Sequence, residues 1–176
     1  MDGKDKFAGA YVQEPQKGKH EWVYDLDITS MYPSIIMSLN ISPETKLGKL
    51  DSWDVESFLK GVDKTYSIKD QNGKESAKLT TAEFKNFLKD NNVSISTNGV
   101  LYTQDRKGLI PTLLEKWFDD RVQFRKLAKK FADSGDKEKH AYFDRRQYIQ
   151  KVVLNSLYGV LGLPVFRFYD IDNAEA

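Results

Sequence analysis

Two aspartates, Asp25 and Asp27, stand two residues apart in an apolar run that includes Val23, Leu26 and Ile28. Removing carboxylates from water beside apolar side chains is costly unless something neutralises them. Residues two apart on a strand point to the same face, so the geometry allows both carboxylates to meet one cation. The alternative for Asp25 is a solvated or salt-bridged residue at the end of the strand.

A second polar set lies on a predicted helix near the end of the chain. At about 100° per residue, Gln147, Lys151, Asn155 and Tyr158 fall within one narrow arc, which ends beside Gly159. This arc presents an amide, a cation and a phenol in a row. Taken alone, such a face is most often simply solvated, so its interpretation depends on what lies opposite.

Charge and composition narrow the class of protein. Residues 121–151 contain ten lysines and arginines against four acids, a local charge of +6, whereas the remaining residues carry −5. A basic block on an acidic chain favours a polyanionic partner, although a solvated helix face is the alternative. The chain has no cysteine, which excludes disulfides and thiolate zinc sites. No apolar run reaches membrane-spanning length, so we expect a cytoplasmic protein that does not enter a membrane.

The N-terminal part is expected to form β-structure around the two aspartates. Residues 7–13 and 20–28 are predicted to be strands joined by a turn at 15–19. Tyr32-Pro33 is expected to break the second strand, and residues 34–39 to form one or two helical turns.

The middle of the chain, residues 46–98, is predicted to be a surface elaboration with two short helices. Ser52 is the predicted N-cap of the first helix. Thr80 and Glu83 form a predicted capping box for the second. A turn is expected at 70–73.

The last part of the chain is predicted to be a hairpin of two antiparallel helices. It follows a β-hairpin at 93–102, which turns at Asn98-Gly99. One helix should follow Pro111, a turn should occupy 132–139, and the second helix should run over 137–161. The side chains expected to face the partner helix are Tyr142, Ile149, Val153, Ser156 and Val160.

Two stretches together resemble the family B, or polymerase alpha-like, DNA polymerases, particularly their bacteriophage-type members. DITSMYPSI (27–35) is similar to the family's motif A, Asp-x-x-Ser-Leu-Tyr-Pro-Ser-Ile, with Met31 in place of leucine. KVVLNSLYG (151–159) is similar to motif B, Lys-x-x-x-Asn-Ser-x-Tyr-Gly. FAGAYV (7–12), NISPET (40–45) and the helix-forming stretch 105–126 also agree with the family.

The resemblance implies an α+β fold, a partial polymerase palm plus a two-helix fingers hairpin, and a function in adding dNTPs to a primer on a DNA template. It divides the chain into an N-terminal palm part with motif A (1–45), an elaboration (46–98), a hairpin leading to the fingers (99–110), the fingers with motif B (111–162) and a return strand (163–176).

The resemblance also implies roles for individual residues. Two Mg²⁺ ions serve the complete enzyme, with Asp27 as catalytic ligand and the Ile28 backbone carbonyl as a second donor. Tyr32 is expected to lie under the sugar and to exclude a 2′-hydroxyl, and Tyr158 and Gly159 to meet DNA at the nascent base pair. The residues expected to bind the nucleotide are Ser30, Met31, Tyr32, Arg121, Arg125, Lys151 and Asn155.

The family's second metal carboxylate, in motif C, has no match in the sequence. Asp170 and Asp172 have Asp-x-Asp spacing, but they lie where the family has a strand after motif B. We therefore expect that a second polypeptide supplies motif C and the thumb, that this chain alone is inactive, and that it works in the cytoplasm of an infected bacterial cell. The alternatives are a non-catalytic nucleotide- or nucleic-acid-binding module and a purely structural helical hairpin.

Overall fold

The computed structural model describes residues 12–176 and confirms the predicted α+β class. A five-stranded sheet is followed by a pair of long helices. In chain order the elements are α1 (Met31–Leu39), β1 (Lys46–Asp51), α2 (Val55–Leu59), β2 (Thr65–Lys69), β3 (Glu75–Thr80), α3 (Thr81–Asp90), β4 (Val93–Ile95), β5 (Val100–Thr103), α4 (Leu109–Asp133), α5 (Lys137–Leu161) and α6 (Ile171–Glu175).

The sheet is antiparallel throughout, with strand order β3-β2-β1-β5-β4. Its first three strands lie in residues 46–98, where the sequence indicated only two short helices. Those strands are only five or six residues long, and although Tyr66 and Ile68 of β2 alternate with polar residues, so short a pattern does not by itself indicate a strand. Their pairing is decided by neighbouring strands and by packing, as is usual for β-structure. The predicted turn at 70–73 is confirmed and joins β2 to β3.

Both predicted short helices are present, but only one of their two N-caps was predicted correctly. Thr80 and Glu83 form the predicted capping box at the start of α3. The prediction of Ser52 as N-cap of α2 is wrong, because Asp54 caps that helix by accepting the N–H groups of Glu56 and Ser57.

The sheet buries a different apolar cluster on each face. Leu101 packs with Tyr66 and Phe84 beneath α3, whereas its neighbours Val100 and Tyr102 pack against the helices α1, α4, α5 and α6. Consecutive residues of β5 thus point to opposite faces. The cluster around Val100 and Tyr102 joins the sheet to α4 and α5 and holds α1 in place.

The helix hairpin is confirmed in its elements. Asp136 caps α5 by accepting the Lys139 N–H at 3.0 Å, and Phe143 of α5 stacks on Phe124 and Phe131 of α4. The predicted inner face of α5 is wrong at Tyr142 and Ile149, which are 46% and 59% exposed, whereas Val153 and Val160 are half-buried and line a groove with Trp117 of α4. The buried side chains of α5 are Leu154 and Leu161, and Leu157 packs against the same core. Apolar residues occur all round this helix, so periodicity alone did not select the leucine row.

Neither of the two strands predicted near the N-terminus, at 7–13 and 20–28, is present in the described residues. Residues 12–28 are irregular and exposed, with Trp22 at 94% and Leu26 at 91%. A strand needs a hydrogen-bonded neighbour, and residues 12–176 offer none to this segment. The premise that Asp25 and Asp27 are buried is likewise wrong. Residues 7–11 of the other predicted strand lie outside the described range.

Turns and a short helix take the place of the predicted return strand at 163–176. Residues 163–170 form turns, and Asp170 then caps α6 by accepting the N–H groups of Asp172 and Asn173.

Candidate functional site

The site begins where the exposed N-terminal segment enters α1. Ser30 adopts a left-handed backbone conformation with φ +53° and precedes the helix without capping it through its side chain. Tyr32 and Pro33 lie in the first helical turn, so the expectation that they only end a strand is incomplete. Proline is tolerated there because first-turn N–H groups have no intrahelical partner.

The loop between α1 and β1 holds the long helices in place. The Asn40 side chain donates to the carbonyls of Thr103 and Arg106 at 2.6 and 2.8 Å, and it accepts the Gly108 N–H at 2.8 Å. Asn40 is 3% exposed. This buried amide therefore ties the end of α1 to the start of α4.

Glu44 completes the attachment of α4. Its carboxylate accepts the Leu109 N–H in the first turn of α4 and the Ser42 hydroxyl. Burial raises the pKa of Glu44, but these hydrogen bonds outweigh that effect and leave its pKa below the ordinary value. The negative charge also suits the positive end of a helix dipole.

A cleft of about 460 Å³ opens between the N-terminus of α1 and the facing sides of α4 and α5. Among the described residues, eight that were predicted from the sequence line it together, and Thr29 is the one lining residue that was not predicted. Nothing in its side chain distinguishes Thr29, which stands inside the first motif. The lining residues are Asp27, Ile28, Thr29, Ser30, Met31, Tyr32, Arg121, Lys151 and Asn155.

Arg121 is the most constrained cation of the cleft. One terminal nitrogen of its guanidinium donates to the Ser30 hydroxyl at 3.3 Å, while its Nε is buried without a hydrogen-bond partner. Burial and the nearby Arg125 lower the pKa of Arg121. No carboxylate within residues 12–176 pairs with it. A half-buried guanidinium with unused N–H donors is suited to binding an anion.

The other charged groups give the cleft an excess of positive charge. Lys151 and Asn155 stand one turn apart on α5, and Lys151 makes no ion pair with the described residues. Asp27 is exposed and is the one carboxylate that lines the cleft within residues 12–176. Two cations therefore face one anion. No group of three metal-ligating side chains occurs within residues 12–176.

Three predicted site residues lie outside the cleft lining, and so does Asp25, the alternative carboxylate. Arg125 is exposed and lines a shallow groove along α4, and Asp25 lies on the exposed segment. Gly159 is exposed, with open space where a Cβ would stand. Tyr158 stacks on Tyr32 with ring centroids 4.1 Å apart and planes 11° from parallel.

The second Asp-x-Asp pattern, Asp170 and Asp172 (the acidic pair), is neutralised within the fold. Lys46 contacts both carboxylates at 2.9 Å, and Lys49 contacts Asp172 at 2.6 Å. Burial raises the pKa of Asp172, but the two lysines outweigh it and lower that pKa overall. Neither aspartate lines the cleft. The acidic pair thus anchors α6 to the sheet.

The sequence profile of DNA polymerase family B matches residues 1–176. The chain belongs to this family. Among its relatives are the DNA-directed DNA polymerase of Escherichia phage RB69, 27% identical over 97% of this chain and 22% of the phage protein, and DNA polymerase 1 of Pyrococcus abyssi, 29% identical over 98% and 17%.

A solved family B DNA polymerase from the archaeon Pyrobaculum calidifontis has a similar fold. It is 26% identical, with a TM-score of 0.54 over 83% of this chain and 14% of the archaeal chain. This family B chain therefore spans about a fifth of the length of its phage and archaeal relatives. None of the helices in residues 12–176 has the length and apolarity needed to cross a bilayer.

Proposed function

We propose that this chain is the palm and fingers portion of a DNA-directed DNA polymerase and binds the incoming dNTP in the cleft. One observation carries the proposal: three separate elements bring a carboxylate, two cations and an amide to the same 460 Å³ space. DNA synthesis needs a site that neutralises a triphosphate beside a metal-binding carboxylate. The relatives named above are DNA polymerases, which supports the same reaction.

The cleft fits part of a magnesium site. Asp27 and the Ile28 carbonyl are hard oxygen donors, and magnesium in proteins is often held by one or two carboxylates together with substrate phosphates. When bound, two magnesium ions stabilise charge on the attacking and leaving oxygens. Asp27 would hold its share through the carboxylate, and Ile28 through the backbone.

Arg121 and Lys151 bind the triphosphate from two helices in this proposal. The guanidinium offers forked donors to phosphate oxygens, and the ammonium adds a point charge. Arg125, one turn further along α4, contributes an outer and weaker attraction because it lies outside the lining. Asn155 steadies the nucleotide.

The start of α1 receives the rest of the nucleotide. Backbone N–H groups near Ser30 and Met31 face a phosphate, because no side chain caps this helix start. Tyr32 lies under the sugar and excludes a 2′-hydroxyl. Tyr158 and Gly159 lie toward the nascent base pair of the primer-template.

A second carboxylate must join Asp27 for synthesis. Since Asp27 is the one carboxylate among the cleft residues, we propose that the second comes from outside residues 12–176, on a further part of the polypeptide or on a second polypeptide that also provides the thumb. The phage relative favours the cytoplasm of an infected bacterial cell as the place of action.

Primer extension tests the proposal. The chain is combined with a polypeptide that supplies motif C and the thumb, and synthesis is measured with magnesium and the four dNTPs. Extension should appear, Asp27→Asn should abolish it, and the matched change Asp25→Asn should leave it within about threefold. A well-folded complex that binds dNTPs without synthesis would instead support the non-catalytic module. Equal loss in both variants would contradict the division of roles between the two aspartates.

A further inference from the structure

Tyr158 of α5 covers one face of the Tyr32 ring. The two rings are nearly parallel, with planes 11° apart and centroids 4.1 Å apart. Tyr32 stands in the first turn of α1, and a tyrosine ring there has only two side-chain torsions to fix. A stacked partner on one face restricts both torsions, because the ring can no longer turn without losing that contact.

The two tyrosines differ in what they line. Tyr32 lines both the cleft and a second recess of about 160 Å³, whereas Tyr158 lines the recess and not the cleft. Tyr158 therefore contacts the Tyr32 ring without lining the cleft. It supports the ring without reaching the space in which a sugar would lie.

The recess provides space into which the Tyr32 ring could rotate. Its walls include the aliphatic side chains of Ile35, Ile36 and Ile41, so it is largely apolar. Without the Tyr158 ring, this space would merge with the volume that the ring now fills. Tyr32 could then swing away from the cleft, which would open room at the floor for a 2′-hydroxyl.

We infer that Tyr158 is the positioning residue for the Tyr32 sugar gate and so helps the site to prefer deoxyribonucleotides over ribonucleotides. The inference rests on the proposed function, in which the cleft binds the dNTP and Tyr32 excludes the 2′-hydroxyl. Tyr158 acts through Tyr32, and the aromatic ring carries the effect.

The test compares affinities for dATP and ATP, each with magnesium, on the 176-residue chain. The measured quantity is the ratio of the two dissociation constants. A loss of folded protein lowers the apparent binding of both nucleotides equally, so the ratio reports the site and not general stability. The variants are Tyr158→Ala, the ring-preserving Tyr158→Phe, Tyr32→Ala and the double alanine variant.

The wild-type chain should prefer dATP, and Tyr32→Ala should remove that preference. Tyr158→Ala should reduce the preference by about twofold to tenfold, the range that corresponds to one aromatic contact. Tyr158→Phe should keep it within about twofold of wild type. The dATP preference of the double variant should equal that of Tyr32→Ala alone, because Tyr158 acts only through the Tyr32 ring.

The results distinguish a failure of the proposed function from a failure of the inference about Tyr158. A wild-type chain that does not bind dATP, or whose preference survives Tyr32→Ala, would overturn the proposed function and the inference together. If Tyr32→Ala removes the preference but Tyr158→Ala leaves it unchanged, only the inference fails. It fails also if Tyr158→Phe is as damaging as Tyr158→Ala, since the ring would then not be the cause.

Discussion

Arg121→Ala should separate a nucleotide-binding role from a structural one. In the fold, Arg121 makes one hydrogen bond to the Ser30 hydroxyl at 3.3 Å, leaves its Nε buried and unpaired, and forms no ion pair with a carboxylate within residues 12–176. Burial holds its pKa below the ordinary value, so the guanidinium stands in a place that disfavours its charge. Its removal should therefore leave the free energy of unfolding within about 1 kcal/mol of wild type.

The same change should strongly weaken nucleotide binding. A hydrogen bond to a charged group contributes about 1.5–3 kcal/mol, and Arg121 lines a cleft whose described residues carry two cations and one anion. A loss of about 2–3 kcal/mol corresponds to a 30-fold to 150-fold rise in the dATP dissociation constant. Arg121→Lys should fall between, with about a tenfold rise, because it keeps the charge but loses the fork.

Arg125→Ala is the matched control, one turn along the same helix. Arg125 is exposed and outside the cleft lining, so its removal should raise the dATP dissociation constant by less than about fivefold. Isothermal titration with dATP and magnesium gives the affinities, and thermal unfolding gives the stabilities. Equal effects of Arg121→Ala and Arg125→Ala would refute the reasoning, as would an Arg121→Ala variant that is destabilised by several kcal/mol.

Three further predictions concern the scaffold. Lys46→Met should destabilise by about 2–4 kcal/mol in chemical unfolding, because it leaves the acidic pair unneutralised, whereas the exposed ion-pair control Lys60→Met should cost less than about 0.5 kcal/mol. The pKa of Glu44 is below its ordinary value of 4.5, so its contribution is present above that pH and is lost as pH falls through the lowered pKa; the stability gap between wild type and Glu44→Gln should close in acid unfolding series. Gly99→Ala should destabilise by about 1–3 kcal/mol, because φ is +83° and a Cβ would stand 2.8 Å from Trp53.

Local signals predicted the helices well. The capping box at Thr80, the turn between the two long helices and the hairpin at Asn98-Gly99 all depend on neighbours in sequence, and all are confirmed. Most of the cleft could also be listed from the sequence, because its residues fall in two short motifs and on one helix. Their assembly depends on the buried Asn40, whose three hydrogen bonds reach more than sixty residues along the chain.

Contacts between distant residues set the limits of prediction. The short strands β1 and β2 are defined by their pairing with each other and with neighbouring strands, and the ion pairs of Lys46 make the acidic pair an anchor for α6. The stack of Tyr158 on Tyr32 brings together residues from opposite ends of the chain, so no local pattern could indicate it.

The measurement that tests the central claim most directly is the location of bound nucleotide on the chain. Backbone amide resonances of the 176-residue protein are followed by NMR while dATP and magnesium are added. The nucleotide-binding proposal predicts the largest shifts at Ser30, Met31 and Tyr32 and around Lys151, with little change in the β2–β3 hairpin. Shifts confined to the hairpin, or no shifts at the start of α1 at saturating dATP, would contradict it.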